Sequence, residues 1–183
     1  MKTLKQLRSE FGTLISKVRT MDYGIDYLFD ERTQLDFDVY LPTKGKNLQR
    51  ELVWTLEQKR EFIMSIIYGR HIPNIALISA SPKRFPDRGA FSREFEVIDG
   101  KQRLTTLKDY LEDKFTILLE GAEFRYSELP YDYKSGAFLR LYLRTYEYVE
   151  DYDKFISDDE KIAWFKFINF AGTPQDKEHL NNL

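Results

Sequence analysis

The feature that most constrains this chain is the stretch FEVIDGKQRLTTLKDYL, residues 95–111. Up to Asp99 the sequence reads as a buried strand, EFEVID; beyond Gly100, Leu104, Leu107 and Leu111 recur at helical spacing. A chain that changes its apolar period within a few residues must turn sharply, and Asp99-Gly100 supplies the turn. The order strand, polar turn, helix predicts a helix that starts close to Arg103. Backbone N–H groups at such a start have no intrahelical partner and carry the positive end of the helix dipole, so a glycine there lets an anion come close.

The rest of the chain surrounds this unit with both kinds of secondary structure. Leu4, Leu7, Phe11, Leu14, Ile15 and Val18 predict an opening amphipathic helix, and residues 1–34 are expected to form a helical extension ahead of a domain over 35–183. QLDFDVYLP (34–42) alternates apolar and acidic residues as a half-buried strand does and ends at Pro42, followed by the loop TKGKN. Thr55 and Gln58 have capping-box spacing ahead of Phe62, Ile63, Ile66 and Ile67, with Gly69 as the stop. NIALIS is a buried strand and ASPKRFPDRGAFSRE an exposed basic loop. KFTILL and EFRYSEL straddle Gly121 as a hairpin. AFLRLYLRTYEY then reads as a long strand with Arg140, Tyr142, Arg144 and Tyr146 on one face. Ser157 and Glu160 form a second capping box before Ile162, Phe165, Phe167 and Ile168, a helix that Gly172 closes, and Thr173-Pro174 opens another. No repeat or linker divides the chain, so the expectation is one α+β domain, a small mixed sheet flanked by helices.

Composition narrows the function. At 183 residues with 42% apolar and 32% charged residues the chain can bury a core, and a net charge of −2 gives no global attraction to nucleic acid or anionic membrane. The absence of cysteine excludes disulfides, thiol nucleophiles and thiolate metal sites and fits a reducing compartment. His71 and His179 are the only histidines, too few for a polyhistidine metal site or a His-Asn-His nuclease centre. The N-terminus lacks the apolar core of a signal peptide and no run approaches membrane-spanning length, so a cytoplasmic protein without a membrane partner is expected.

Three segments carry candidate chemistry. At the turn, Arg103 can give a forked pair of hydrogen bonds to phosphate, Lys101 a point charge, and Thr105 and Thr106 hydroxyls, while Asp99 can hold a divalent cation or orient water. The competing reading has Asp99 capping the helix, Arg103 paired with a neighbouring carboxylate and the threonines bonded to backbone. In LQRELVW, Gln49 and Arg50 precede the strong helix and Trp54 reads as a core residue. In FKFINFAGTP, Asn169 can read a base or ribose, or serve as a helix C-terminal cap. His71, the run 158–160 and EDYD (150–153) read as surface, dipole and turn residues without chemistry.

Taken in order, LQRELVWTLEQKREFIMSIIYGRHIPNIAL, FEVIDGKQRLTTLKDYL and FKFINFAGTPQDKEHLNNL resemble the N-terminal domain of the GmrSD-type modification-dependent restriction enzymes. That family is marked by Gln-Arg before a Val-Trp helix, an Asp-Gly-Gln-Gln-Arg box and a Phe-x-x-x-Asn-x-x-Gly-Thr segment. The resemblance implies a ParB/sulfiredoxin-like fold and a domain whose nucleoside triphosphate hydrolysis licenses DNA cleavage in anti-phage defence. Carried over, Gln49 and Arg50 match the first motif; Asp99, Gly100, Gln102 and Arg103 the box; Asn169, Gly172 and Thr173 the third. The implied site is therefore nucleotide-binding through Gln49, Arg50, Gly100, Lys101, Gln102, Arg103, Thr105 and Asn169, with Asp99 and Arg103 catalytic, Asp99 also holding magnesium. Lys101 stands where the family has glutamine, so binding is carried over more securely than turnover. The chain is expected to lack its own His-Asn-His nuclease domain and to act with a separate nuclease or defence-system protein, reaching DNA through it. Two alternatives stand beside this expectation: a non-catalytic nucleotide or DNA-binding switch or decoy, and a DNA-binding or nicking protein that uses Lys83, Arg84, Arg88 and Arg93.

Overall fold

Alternating and fully apolar strands assemble into a five-stranded mixed sheet of order β1-β9-β5-β6-β2. The computed structural model describes residues 17–49, 51–87 and 92–170. Strand β1 (Val18–Gly24) lies antiparallel to β9 (Tyr142–Val149), and β9 runs parallel to β5 (Ile75–Ser79). Strand β5 is antiparallel to β6 (Arg93–Asp99), which lies parallel to β2 (Thr33–Asp36). Ile75–Ile78 of β5 and Phe95–Ile98 of β6 are buried on both faces, which explains the apolar run of β5, whereas β9 alternates buried and exposed residues. Successive side chains of a strand point to opposite faces, so Ile75 and Leu77 enter one core while Ala76 and Ile78 enter the other.

Helices cover both faces. Helix α2 (Leu56–Ile67) contributes Ile63 and Ile66, and α3 (Lys101–Leu111) contributes Leu104, Leu107 and Tyr110, to the first core. Helix α5 (Asp158–Phe170) places Ile162, Trp164 and Phe165 in the second; α1 (Ile25–Leu28) and α4 (Tyr131–Tyr133) are single turns. Both capping boxes form: Thr55 N donates to Gln58 Oε1 at 2.9 Å, and Ser157 N donates to Glu160 Oε2 at 2.9 Å. Small antiparallel pairs, β3 (Tyr40–Leu41) with β4 (Lys46–Asn47) and β7 (Ile117–Leu119) with β8 (Ala122–Phe124), complete the fold, the latter as the hairpin around Gly121. This is a mixed α+β domain, as the sequence implies.

Three local expectations change. Residues 4–16 of the expected opening helix lie outside the described residues, but Val18–Gly24, also within the expected helical extension, form strand β1 and pair along their whole length with β9. The expected strand over 34–42 stops at Asp36, because Asp36 Oδ1 accepts from Asp38 N (2.9 Å) and Val39 N (3.1 Å), and this side-chain turn replaces the ladder. The long strand begins only at Tyr142: Leu141 N donates back to Phe138 O at 3.0 Å, so Leu139 and Arg140 belong to a turn. Gly172, Thr173 and the last expected helix lie outside the described residues.

The basic loop is less available than its sequence suggests. Arg84 donates to Glu96 at 2.6 Å and to Glu150 at 3.1 Å, Arg93 pairs with Asp30 at 2.8 Å, and Lys83 pairs with Asp153. Arg88 lies outside the described residues. Glu96 also accepts from Lys161 at 2.8 Å, an ion pair with both side chains almost fully buried. Removing one member of such a pair strands a charge away from water, at roughly 3–5 kcal/mol. We therefore expect Glu96→Ala, which takes away the carboxylate facing Lys161, to lower stability by about 3 kcal/mol or more in urea denaturation. The double variant Glu96→Leu/Lys161→Met is expected to recover most of that loss, since Arg84 keeps Glu150.

Candidate functional site

Strand β6 ends at Asp99, and the chain turns through Gly100 directly into α3. Gly100 is the helix N-cap, with φ of 106°, in the left-handed region that residues with a side chain avoid. A methyl group added there would lie 2.5 Å from Ile75 Cγ2 on β5, so glycine is required by space as well as by conformation. The first turn closes when Leu104 N donates to Gly100 O at 2.9 Å. No side chain caps this N-terminus, so Asp99 does not take the capping role that the competing reading gave it.

Arg103 reaches back over the turn. Its Nη2 donates to Asp99 Oδ2 at 2.6 Å and its Nη1 to Pro73 O at 2.7 Å, tying α3 to the entry of β5. The pairing of Arg103 with a nearby carboxylate, one of the three parts of the competing reading, is thus present. Lys101 is only 5% exposed, and its ammonium donates to the exposed Asp38 at 2.8 Å. Gln102 has a task that the sequence did not suggest: its Oε1 accepts from Val53 N and Trp54 N, each at 3.2 Å, and its Nε2 donates to Glu51 O at 3.2 Å. It holds the backbone after the first motif against the box. Gln49 Nε2 donates to Val97 O on β6, and Asn169 Nδ2 donates to Phe165 O at 2.8 Å, within its own helix.

These segments meet at one end of the sheet. Gln49, Asp99, Gly100, Lys101, Gln102, Arg103 and Asn169 all line a single cleft of about 1480 Å³. Thr105 does not line it, Thr106 is buried and does not line it either, and Arg50 lies outside the described residues. Trp54, expected in the core, is half-buried at the cleft and packs on Phe62 with ring centroids 5.4 Å apart. Sequence reasoning missed the opposite wall: Arg70 and His71 beyond α2, Arg140 before β9, and Tyr142, Arg144 and Tyr146 along it. The alternation over 139–146 was the available signal, but nothing in it tells which end of the sheet the face joins.

The cleft is cationic although the whole chain carries −2: five basic side chains line it, Arg70, Lys101, Arg103, Arg140 and Arg144, against the carboxylates of Asp22 and Asp99. Arg144 and Asp22 pair at 3.0 Å, which holds the guanidinium up and the carboxyl of Asp22 below the usual range, chiefly through their hydrogen bond. Among the described residues no group of three or more His, Cys, Asp or Glu is placed to hold a metal by itself. Helix-start N–H groups, four guanidinium groups and a buried ammonium around one open volume make a site suited to anions.

Because both conformation and packing demand glycine at the turn, Gly100→Ala is expected to lower the melting temperature by an amount equivalent to at least about 2 kcal/mol, since the left-handed region alone costs an alanine roughly 1–2 kcal/mol. Differential scanning calorimetry checks this. Asn74→Ala, which alters the adjoining loop and leaves its backbone carbonyl in place, serves as the control and is expected to stay within about 1 kcal/mol of the parent.

No curated protein and no solved structure matches this chain. All the residues that line the cleft except Asp22 fall within a match over 26–182 to the family model described as the GmrSD restriction endonuclease, N-terminal domain. This chain belongs to that family.

Proposed function

We propose that the cleft is a nucleotide-binding switch site, with the phosphates at the N-terminus of α3, serving a restriction-type defence assembly. The observation that carries the reading is the convergence of Gln49, the 99–103 turn and Asn169 on one cationic volume at a helix start. Arg103 and Lys101 already rest on carboxylates, Asp99 and Asp38, so a phosphate entering the turn competes for both cations. Capture of Lys101 releases Asp38 in the 36–39 turn, and capture of Arg103 frees Asp99. Nucleotide occupancy is thereby converted into a change of contacts between β2, β6 and α3. The placement of Asp-Gly at a strand-to-helix turn supports assignment to the ParB/sulfiredoxin-like fold.

Hydrolysis is a second reading, favoured by the position of Asp99 directly ahead of the phosphate turn. Magnesium carried largely by triphosphate oxygens needs only one or two carboxylates from the protein, and Asp99 fits that need. The ion would supply charge neutralisation, while Arg103 would steady the transferred phosphoryl group and Asp99 would hold the ion or orient water. A separate nuclease or defence-system protein is the partner we assign to the switch, with DNA reached through that protein.

Isothermal titration calorimetry and thermal shift with the common nucleoside triphosphates, with and without magnesium, test the reading. Saturable binding that raises the melting temperature is expected, and Arg103→Ala is expected to weaken it by about tenfold or more, the equivalent of losing a charge-assisted hydrogen bond. Binding that Arg103→Ala leaves intact would contradict the site. Phosphate release abolished by Asp99→Ala assigns turnover as well; binding without release assigns the switch alone.

A further inference from the structure

The wall of the cleft opposite α3 has a chemistry that a mononucleotide does not use. Along β9, Leu143, Thr145 and Glu147 point inward and are at most 4% exposed, whereas Tyr142 and Tyr146 on the other face are 68% and 43% exposed. Arg144 lies between them and Arg140 just ahead of them; Arg70 faces the same volume from beyond α2. Among the described residues neither Arg70 nor Arg140 has a carboxylate partner, and Arg144 has only its solvent-exposed pairing with Asp22, the kind of ion pair that contributes little.

We propose that this wall binds single-stranded nucleic acid, with bases stacked on Tyr142 and Tyr146 and phosphates held by Arg140, Arg144 and Arg70. Two observations select that partner. The tyrosines are four residues apart on one strand, about 13 Å at the usual rise, so they serve two different bases, and a mononucleotide has one. The cleft, about 1480 Å³, also exceeds the roughly 300–1,000 Å³ of sites built for one small molecule. Aromatic platforms with interleaved cations along a groove are the physical requirement for holding a single strand, because every base offers a stacking face and every step a phosphate. A duplex keeps its bases stacked on each other and leaves the tyrosine faces unused. The partner is reached independently of the phosphate turn at α3, so this surface does not depend on the switch reading.

Fluorescence anisotropy with labelled single strands of roughly 12 nucleotides, oligo-dT and oligo-U, and with a duplex of the same length, tests the proposal. Single strands are expected to bind more tightly than duplex, with affinity falling as salt rises. The Tyr142→Ala/Tyr146→Ala variant is expected to weaken single-strand binding at least about tenfold, while Tyr131→Ala, an exposed tyrosine outside the cleft, changes nothing. Arg70→Ala/Arg140→Ala is a second variant that does not touch the sheet; it is expected to reduce the salt slope by roughly one per arginine. Duplex bound as tightly as single strand, or single-strand affinity unchanged in both variants, overturns the proposal. The nucleotide-induced thermal shift, measured on the same proteins with Arg103→Ala alongside, separates the two ideas. A shift lost only in Arg103→Ala keeps the switch whatever the oligonucleotides do, and oligonucleotide binding lost only in the tyrosine variant keeps this surface whatever the nucleotides do.

Discussion

The contact on which the rest of the site depends is the approach of Gly100 to Ile75. It presses the start of α3 against the entry of β5 and leaves no room for a side chain. Everything polar at the cleft is arranged relative to that contact. Arg103 can span to Pro73 O because the helix start and the loop before β5 touch, and Gln102 can reach the 51–54 backbone because the same helix turn faces it. A looser packing at one glycine would separate three segments that come from distant parts of the sequence.

Charge is distributed with the same economy of position. Away from the cleft several cations are engaged: Arg84, Lys161, Glu96 and Glu150 form a buried network, and Lys59 pairs with Asp109 at 2.8 Å. Tyr23, whose hydroxyl donates to the buried Glu147 at 2.8 Å, is held well above the ordinary phenol range, first by burial and then by that hydrogen bond. Interior charges balanced in place rigidify the sheet without adding to the external field. Five basic side chains gather where the sheet ends, and in this way an acidic protein presents a cationic cleft without a basic composition.

Much of this was legible in the sequence where local rules act alone. Both capping boxes, the Asp99-Gly100 turn, the central strands and the hairpin at Gly121 follow from spacing that neighbours do not override. The failures have identifiable causes. Strand β1 carries no strong local signal, since its pairing with β9 over 18–24 is what makes it a strand. The 34–42 alternation is real, but Asp36 offers a hydrogen-bonding alternative that ends the ladder. For the site, the sequence could name Asp99, Arg103, Gln102 and Asn169 but not their tasks. That Gln102 braces backbone instead of facing the cleft as a free donor, and that Asn169 bonds within α5, are facts of tertiary geometry. Tyr142 and Tyr146 were invisible as site residues because only the strand order, with β5 between β9 and β6, brings the start of β9 to the end of the sheet where β6 finishes.

The grip of Gln102 on the 51–54 backbone has an optical consequence. Trp54 is held by that grip at the mouth of the cleft, whereas the chain's other tryptophan, Trp164, is sealed in the second core at 4% exposure. The two indoles therefore divide the intrinsic emission into a constant background and a component that follows the polarity beside the turn. The protein carries its own fluorophore at the place where a ligand would change the surroundings.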